Sequence, residues 1–365
     1  MSDRPAADLA TLRTQIDAVD LELLALLNRR ASLALVVGEI KKHDGSAVFR
    51  PEREAQVIDG LKAHNPGPLL GDSVAPIWRE IMSACRALET PTRVAFLGPA
   101  GTFSEEAALG FFGSSIVRLP CANFDEVLHH TLAGAADFGV VPVENSTEGV
   151  VTRSLDLFLT TPLFIIGETS LFVRHNLLRR TDAMAGIQAV CAHPQALAQC
   201  NQWLSLHLPQ VERRPVASNA EGARMASLDV SLAAIAGARA GSEFGLHVLA
   251  PAIQDEANNR TRFAVLAHPD RHPAPKASGH DCTSLVVSVN NRPGAVHDML
   301  VPLKTHGVSM TRFESRPARS GQWEYYFYID LQGHPEQPHV AQALKELRDV
   351  CAFFKLLGTY PIDVH

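Results

Sequence analysis

The stretch RVAFLGPAGTFSEEAA, Arg93–Ala108, contains a short apolar strand, a glycine turn and the start of a helix. Thr102 or Ser104 can cap that helix, and Glu105 and Glu106 follow in its first turn, where acidic residues are favoured. The same strand-then-polar-loop pattern returns in FGVVPVEN, LFIIGETSLFV, IQAVCAHPQ, SLAAIAG and TRFAVLA. This alternation predicts an α/β domain whose ligands bind at the carboxyl ends of the strands.

The segment upstream of Arg93 has a helical rhythm instead. Apolar residues recur in steps of three and four between residues 8 and 42, which predicts one long helix with a packed seam that includes Arg30. Pro51 opens a second helix with acidic residues in its first turn, and a third helix is predicted from about Ser73 to Leu88. The N-terminal part is therefore predicted to be an all-α unit of three helices.

The segment downstream begins with HPDRHPAPKASGHD, a run rich in proline and basic residues that is typical of a linker. Beyond it the pattern is strand, helix, two strands, helix and strand, which is the ferredoxin-like α+β arrangement. The predicted boundaries are residues 1–91 for the helical domain, 92–269 for the α/β domain, 270–281 for the linker and 282–365 for the C-terminal domain.

Composition excludes several classes of function. The chain has 365 residues, a formal net charge of −6 and no run of five basic residues, so nucleic-acid binding is disfavoured. Its six cysteines are scattered, without CxxC or a zinc-site pattern, as expected for reduced thiols. The N-terminal residues do not resemble a secretion signal, and no apolar window reaches the ~18 residues of a membrane span. We expect a cytoplasmic protein with no metal or membrane partner, and with surface histidines in the linker and at His129.

Cations in the helical unit are spaced for binding a small anion. Lys41 follows Arg30 by eleven residues, which places both within about 20° on one helix face and ~16 Å apart along the axis. Arg13 lies roughly 25 Å before Arg30, so it could serve the same site only from a second copy of the chain. The alternatives are solvated flanking cations, or an Arg30 that snorkels or pairs with an internal acid.

These residues resemble a known family. The order of Arg13, LLNRR, VGEIKK, RPEREAQV and IMSACRALE is similar to the helical chorismate mutases, specifically those fused to prephenate dehydratase. The resemblance implies an interlocked homodimer and a chorismate site formed by Arg13 of the partner chain together with Arg30, Lys41, Arg50, Arg53, Glu54, Cys85 and Glu89. Of these, Arg30, Lys41 and Glu89 would be catalytic.

Three of these positions depart from some members of the family, which have Asp, Ser and Gln where this chain has Arg50, Cys85 and Glu89. An ionised Glu89 would repel the negative charge that develops on the ether oxygen of chorismate as the C–O bond breaks. Glu89 must therefore be protonated to donate a hydrogen bond. The sequence predicts a mutase activity that falls as the pH rises.

Thr261 lies between Arg260 and Arg262 at the start of a predicted strand, so its side chain should face opposite to both arginines. By itself this could be an ordinary β-branched strand residue beside surface arginines. In the same way, PVENSTEG could be a polar turn, and AHPQ could be a helix start with proline in the first turn.

In combination, GPAGTFSEEAA, VVPVENSTEG, AHPQALAQC, GSEFGLHVL and NRTRF resemble the prephenate dehydratases, which are similar to two-lobed periplasmic binding proteins. The resemblance implies that Thr261 is catalytic and donates a proton to the departing hydroxide, while arginine and backbone N–H groups hold the two carboxylates of prephenate. The implied residues around the interlobe cleft are Glu144, Asn145, Gln195, Thr261, Arg262 and Phe263, with Thr102 and Ser104 also facing it and no cofactor required.

The C-terminal segment resembles an ACT domain, a small-molecule sensor. Its RPGAVH and ESRP motifs imply a phenylalanine effector site between paired domains, formed by Gly294, Ala295, Val296, His297, Glu314, Ser315, Arg316 and Pro317. The usual Gly-Ala-Leu-Val appears here with Val296 and His297 at its last two positions. The alternative is a domain that only dimerises.

The resemblance spans about Leu9 to Tyr360 and implies an enzyme that converts chorismate to prephenate and prephenate to phenylpyruvate under phenylalanine control. Two alternatives remain. An arogenate dehydratase would act on the substrate that carries an amino acid side chain, and a non-catalytic binding protein would share the two-lobed architecture.

Overall fold

The computed structural model describes residues 8–44, 47, 49–318 and 325–362. The predicted N-terminal helices are confirmed, with bounds that differ by one or two residues from those expected. They are α1 (Leu9–Asp44), α2 (Pro51–Ala63) and α3 (Gly71–Glu89). Pro51 occupies the first turn of α2 with Glu52 and Glu54, as predicted, and α3 packs against both other helices. None of the helices among these residues is long and apolar enough to cross a membrane.

The apolar seam of α1 differs from the prediction, because this chain does not bury it. Leu12, Leu23 and Leu33 keep 43, 51 and 62% of their surface exposed, and Arg30 is only half-buried. A seam of this composition gains stability only when another surface covers it. The long helix is therefore an apolar surface of the single chain.

The α/β unit begins with five strands and three helices that form its first lobe. Their bounds are β1 (Thr92–Leu97), α4 (Phe103–Phe112), β2 (Ile116–Cys121), α5 (Phe124–Ala133), β3 (Phe138–Asn145), β4 (Gly149–Val150), α6 (Thr152–Thr160) and β5 (Phe164–Phe172). Of the two predicted caps, Thr102 and Ser104, it is Thr102 that caps α4, by accepting a hydrogen bond from the Glu105 N–H.

The second lobe follows in the chain and has a sheet of its own, with the order β10-β6-β9-β7-β8. Its elements are β6 (Asn176–Arg179), β7 (Ala189–Ala192), α7 (Pro194–Gln199), α8 (Asn201–His207), β8 (Glu212–Pro215), α9 (Asn219–Leu228), β9 (Leu232–Ala236), α10 (Ala238–Phe244) and β10 (His247–Ala250). The predicted two-lobed architecture is confirmed. Strands β2, β4, β6, β8 and β10 were not predicted. Strands β4, β6, β8 and β10 have only two to four residues, and β2 and β8 carry arginine and proline, which interrupt an apolar strand pattern.

The chain then returns to the first lobe through β11 (Arg260–Ala267), which inserts between β5 and β3 and is antiparallel to both. The first-lobe order is therefore β5-β11-β3-β1-β2, with β4 paired to β3. The register sets Thr261 opposite Asn145 and Arg262 opposite Glu144. This return strand places the Thr-Arg-Phe sequence where the two lobes meet.

The C-terminal unit has the predicted ferredoxin-like topology, with strand order β13-β14-β12-β15. Its elements are β12 (Asp281–Ser288), α11 (Ala295–Thr305), β13 (Met310–Pro317), β14 (Tyr325–Gln332), α12 (Pro338–Val350) and β15 (Phe353–Pro361). The predicted start of the third strand, at Trp323, lies outside the described residues.

Two contacts between the units were not predicted. Strand β15 pairs with β5 at Gly358 and Ile165, which joins the C-terminal sheet to the first-lobe sheet. Phe49, which lies between α1 and α2, is 5% exposed and inserts among the first-lobe rings of Phe112 and Phe138, at centroid distances of 5.0 and 5.3 Å. The three units therefore share core surfaces.

One histidine of the linker also departs from the prediction of a surface position. The ring of His272 packs against Phe138 with 4.4 Å between centroids, and its Nδ1 atom is buried. Proline-rich segments without a regular repeat give no sequence signal for such an inward-facing side chain.

Candidate active sites

A cavity of about 410 Å³ lies between the two lobes. The first lobe lines it with the turn before α4, with the end of β3 and with the start of β11, and the second lobe lines it with α7 and the start of α9. The predicted residues that line it are Thr102, Ser104, Asn145, Gln195 and Thr261, joined by His175, His193, Gln199, Ser218, Asn219 and Asn259. This is the crevice at the strand ends that the alternating pattern predicts for an α/β unit.

The central polar pair in this cavity is Asn145 and Thr261. The Nδ2 atom of Asn145 lies 2.8 Å from the Oγ1 atom of Thr261. The orientation of the amide is fixed by its other end, because Oδ1 accepts hydrogen bonds of 3.0 Å from the backbone N–H groups of Thr147 and Glu148. Nδ2 is therefore the donor and the threonine oxygen the acceptor. Since a hydroxyl has one proton, that proton remains available to an acceptor in the cavity.

The hydrogen bonding continues from this pair to residues that the sequence did not single out. Asn145 also donates to Asn259 Oδ1 over 2.8 Å, and Asn259 donates to Gln199 Oε1 over 3.4 Å. His175 Nε2 lies 3.0 Å from the same oxygen. Burial lowers the pKa of His175 below its usual value, which favours a neutral imidazole that donates to Gln199. Asn259 could have been found from its place two residues before Thr261, whereas Gln199 and His175 carry no such signal.

The described residues that line this cavity include no lysine or arginine. The cavity is instead bordered by the N-termini of two ten-residue helices, α4 and α9, which are capped by Thr102 and Ser218. Helix N-termini present backbone N–H groups and a partial positive charge, which suits carboxylate groups. Charge complementarity to an anion in this cleft thus comes from backbone dipoles and neutral donors.

Three residues predicted to surround the cleft lie elsewhere. Glu144 and Arg262 do not line the cavity, and Phe263 is a core residue with 2% of its surface exposed. Arg262 donates to Glu168 from Nε (2.8 Å) and Nη2 (2.6 Å), and to Glu144 from Nη1 (3.0 Å). The reason is strand geometry: Thr261 and Asn145 face the cavity, so the neighbouring Arg262 and Glu144 face the other side of the sheet. Burial lowers the pKa of Arg262, but its bonds to Glu168 outweigh burial and raise the pKa above its usual value.

A second cavity, of about 480 Å³, lies among α1, α2 and α3. Five cationic and two acidic side chains line it, together with Cys85: Arg30, Lys41, Arg50, Arg53, Arg86, Glu54 and Glu89. The structure thus brings together every residue predicted for this site from one chain. Arg13 lies on the exposed N-terminal half of α1 and does not line the cavity. An excess of positive charge in a small cavity favours a compact anionic ligand.

Arg86 belongs to this cavity but was not predicted. Its side chain is 6% exposed, pairs with Glu54 through Nη1 and donates to the Phe112 carbonyl through Nη2 over 2.5 Å. Its guanidinium also lies 4.8 Å from the ring centroid of Phe49. Burial raises the pKa of Glu54, and the positive charge of Arg86 partly offsets this effect. Arg86 occupies an ordinary helical position, and no local pattern of the sequence indicates its pairing with Glu54 or its hydrogen bond to the Phe112 carbonyl.

Glu89 reaches the same cavity from the last turn of α3 and packs against α1 at a glycine. A Cβ atom added to Gly38 would lie 2.8 Å from Glu89 Cγ and 3.0 Å from its Oε2. A side chain at position 38 would therefore require the Glu89 side chain to move from its present place against the long helix.

Comparisons with known proteins identify all three units. The chorismate mutase type II model matches residues 12–90, the prephenate dehydratase model residues 94–271, and the ACT domain model residues 283–349. A bifunctional chorismate mutase/prephenate dehydratase of Neisseria gonorrhoeae is 47% identical over 96% of this chain and 96% of its own length. One of the same name from Pseudomonas aeruginosa is 44% identical, with 97% of each chain covered.

This chain belongs to the bifunctional chorismate mutase/prephenate dehydratase family.

A solved relative matches the dehydratase and ACT domains. The prephenate dehydratase of Arthrobacter aurescens, determined in complex with L-Phe, is 35% identical, covers 74% of this chain and 89% of its own, and superposes with a TM-score of 0.67. The fold class predicted from the sequence, with its three units in order, is therefore confirmed.

The motifs predicted for an effector lie at two places in the ACT domain. Gly294 begins α11 with a φ of +81°, a backbone conformation that glycine adopts without strain. The side chain of His297, in the first turn, is 80% exposed, and its Nδ1 atom lies 3.3 Å from Asp298 Oδ1. Glu314–Pro317 form the end of β13, where Arg316 donates to Thr152 of the dehydratase domain over 2.8 Å. The second motif therefore contacts the dehydratase domain directly.

Proposed function

We propose that this chain catalyses two consecutive reactions: the rearrangement of chorismate to prephenate in the helical domain, and the conversion of prephenate to phenylpyruvate in the interlobe cavity. Phenylalanine inhibits the second reaction through the ACT domain. The observation that carries the proposal is the Thr261 hydroxyl, which is held by Asn145 at 2.8 Å on the wall of a cavity of about 410 Å³.

In the dehydratase reaction, the C–CO₂ bond of prephenate breaks and its electrons form the last double bond of the aromatic ring, while the ring C–O bond breaks and hydroxide departs. Thr261 donates a hydrogen bond or proton to that hydroxide, which leaves as water. Asn145 holds the threonine oxygen, so that its proton is directed into the cavity. This sparse machinery is adequate because formation of the aromatic ring drives the reaction.

The carboxylates of prephenate are held by the start of α4, with Thr102 and Ser104, and by Gln195 and the start of α9. The sequence had suggested an arginine for this task. Because the described lining supplies none, we assign the anion to backbone N–H groups and neutral side chains. Such donors are fixed before the substrate binds and require no reorganisation during the reaction.

In the mutase reaction, no covalent intermediate is formed, and catalysis depends on charge placement. Arg30 and Arg53 bind carboxylates of chorismate, since guanidinium groups can grip a carboxylate through two hydrogen bonds. Lys41 and a protonated Glu89 face the ether oxygen, where negative charge develops as the C–O bond breaks. Interactions that strengthen in the transition state raise the rate rather than only the affinity.

Arg13 of the partner subunit completes this site in our proposal. The exposed seam of α1, with Leu12, Leu23 and Leu33 among its residues, supports a homodimer in which the long helices interlock. The proposal can be tested by mixing an Arg13→Ala chain with a Lys41→Ala chain. Half of randomly mixed dimers would be heterodimers with one intact site, so about a quarter of wild-type mutase activity should return. No recovery after mixing, with exchange shown by mass, would contradict a site shared between chains.

The test of the whole proposal is a two-step assay from chorismate with and without phenylalanine. Prephenate should appear first and then phenylpyruvate, measured by its absorbance in alkali, and phenylalanine should suppress only the second product. A preference for arogenate over prephenate would identify an arogenate dehydratase. Binding of prephenate without turnover would identify a non-catalytic binding protein, and an ACT domain that only dimerises would leave both rates insensitive to phenylalanine.

A further inference from the structure

The rear face of the β3–β11 pair carries a charged cluster that connects the dehydratase and ACT domains. We define the Arg262 cluster as Arg262, Glu144 and Glu168 of the dehydratase domain together with Arg312 and Asp330 of the ACT domain. Arg262 Nη2 donates to Asp330 Oδ2 over 3.0 Å, and Arg312 Nε lies 3.0 Å from Glu144 Oε2. The same Glu144 oxygen accepts from Arg262 Nη1 over 3.0 Å, so one carboxylate is shared by arginines of two domains.

The side chains of the cluster are partly or fully buried and make further hydrogen bonds to their surroundings. Asp330 is 4% exposed and also accepts a hydrogen bond of 2.6 Å from Ser284, while Tyr360 donates to Glu168 over 3.2 Å. The side chain of Arg312 is 12% exposed. Partly buried charges hold their geometry only when each is paired, so loss of one partner affects the remaining ones strongly.

The cluster lies directly behind the proposed reacting groups. Glu144 precedes Asn145 in β3, and Arg262 follows Thr261 in β11, and these residues form two successive register pairs. The side chains of Glu144 and Arg262 on the rear face are thus attached to the backbone directly beside Asn145 and Thr261, whose side chains lie on the cavity face. The register of β3 and β11 is irregular at this point, between Arg262 and Phe263, and the hydrogen bond from Arg262 to Glu144 links the two strands beside the irregularity.

The cluster also reaches the proposed effector motif. Arg312 and Arg316 lie on the same face of β13 as Glu314, and that face is turned toward the dehydratase domain, where Arg312 meets Glu144 and Arg316 meets Thr152. A change in β13 at Glu314–Pro317 is thus transmitted along one strand to Arg312, two residues before the motif.

We propose that Arg312 and Asp330 are positioning residues for the dehydratase reaction: through Glu144 and Arg262 they set the alignment of Asn145 and Thr261, and they couple that alignment to the state of the ACT domain. This inference rests on the proposed function, since it names how regulation reaches that same site. It assigns to Arg262 and Glu144 an indirect role behind the cavity rather than contact with prephenate.

The test compares Arg312→Gln, Arg312→Lys and Lys355→Met in the full-length protein. Lys355 is a matched control, because it also joins the ACT domain to the dehydratase domain but bonds the carbonyls of Phe158 and Thr161 at the end of α6, away from β3 and β11. For each variant, kcat and KM for prephenate, inhibition by saturating phenylalanine, phenylalanine binding by equilibrium dialysis and mutase rate are measured. The mutase rate reports whether the variant is folded.

Arg312→Gln should lower the dehydratase kcat about tenfold with KM changed by less than about twofold, because a charged hydrogen bond is lost behind the cavity and not within it. Phenylalanine should still bind with unchanged affinity, but saturating phenylalanine should no longer alter the rate by more than about twofold. Arg312→Lys, which keeps the charge and one donor, should restore most of both properties. Lys355→Met should behave as the wild type.

Several outcomes would overturn the inference. For Arg312→Gln, these are a wild-type kcat with wild-type inhibition, a rise in KM that accounts for the loss of activity, or a loss of phenylalanine binding that parallels the loss of inhibition. For Lys355→Met, the contradicting outcome is the same loss of inhibition with phenylalanine still bound. If Arg312→Gln does not fold, Asp330→Asn takes its place, and full inhibition by phenylalanine in Asp330→Asn would also overturn the inference. An unsubstituted protein that forms no phenylpyruvate would instead contradict the proposed function itself.

Discussion

The Asn145 amide donates to the Thr261 hydroxyl oxygen over 2.8 Å, and two backbone N–H groups prevent that amide from turning around. The threonine is therefore held as an acceptor on one side and a donor on the other. A substitution at Thr261 therefore removes the proton donor, and a substitution at Asn145 removes the hydrogen bond that orients it.

Substitution of Thr261 by valine should lower the dehydratase kcat by about 10²-fold or more, because a proton donor to the departing hydroxide is lost while the shape is kept. Thr261→Ser should stay within about tenfold of the wild type. Asn145→Asp should resemble the valine variant, since a carboxylate would accept the threonine proton instead of donating to its oxygen. Phenylpyruvate formation measures the effect and mutase rate serves as the control. Near-normal turnover by Thr261→Val would exclude this role.

The mutase reaction should lose rate as the pH rises, because an ionised Glu89 would repel the charge on the ether oxygen. Glu89→Gln, which donates a hydrogen bond at every pH, should remove this fall and extend activity to higher pH. The measurement is kcat/KM for chorismate across a pH series, with the dehydratase rate of the same variant as a control for folding. Identical pH profiles in the two proteins would refute the protonated form of Glu89.

The buried linker histidine should make stability depend on pH. Burial lowers the pKa of His272 from its ordinary value of 6.5, so the unfolded chain binds a proton more readily than the folded one. The corresponding stability is present above about pH 6.5 and is lost as the pH falls through that value. His272→Phe keeps a ring against Phe138 but cannot titrate. Its unfolding free energy, measured by urea denaturation, should therefore decline less between about pH 7.5 and 5.5.

The exposed His129 supplies the control for that experiment. His129→Gln removes a histidine whose side chain lies at the surface, so an equal change in this variant would mean that the effect is not specific to the buried ring. If the unfolding free energies of the wild type and of His272→Phe change in parallel with pH, the buried ring does not contribute to the pH dependence of stability.

The junction between the two sheets should tolerate no side chain at Gly358. A Cβ atom there would lie 2.1 Å from the Ile165 carbonyl oxygen, so Gly358→Ala must displace β15 or β5, at a cost of about 1–3 kcal/mol. The same change at Gly110, in α4, meets nothing within 4 Å and should be neutral or slightly stabilising. Thermal unfolding of the two variants provides the comparison, and equal stability of both would contradict a close contact at Gly358.

Local patterns were enough to predict much of this molecule. The period of apolar residues predicted α1, Pro51 and the acidic residues after it predicted the start of α2, and strand alternation predicted that Thr261 and Arg262 face opposite ways. The resemblance of ordered motifs then grouped Asn145, Gln195 and Thr261, which line one cavity.

What the sequence did not reveal depends on contacts between distant segments. Asp330 follows Arg262 by 68 residues and belongs to another domain, so no local pattern joins them. The hydrogen bond from Arg86 to the Phe112 carbonyl joins two units, so no local pattern predicts it. The close approach at Gly358 depends on the relative placement of two sheets. The charge around the interlobe cavity also differs from expectation, because neither of the two arginines adjacent to Thr261 lines the cavity: Arg262 pairs with acidic residues behind the sheet, and Arg260 lies over the ring of Phe172.

The position of Phe49 has a consequence for the history of this fused gene product. The residue precedes α2 in the mutase half, yet its ring fills the dehydratase core beside Phe112 and Phe138. A polypeptide that began at Thr92 would lack the Phe49 ring, which would leave a cavity in its core and expose the rings of Phe112 and Phe138 to water. Joining the two enzymes has thus made each half a packing partner of the other, and separation would require repair substitutions in the half that is left.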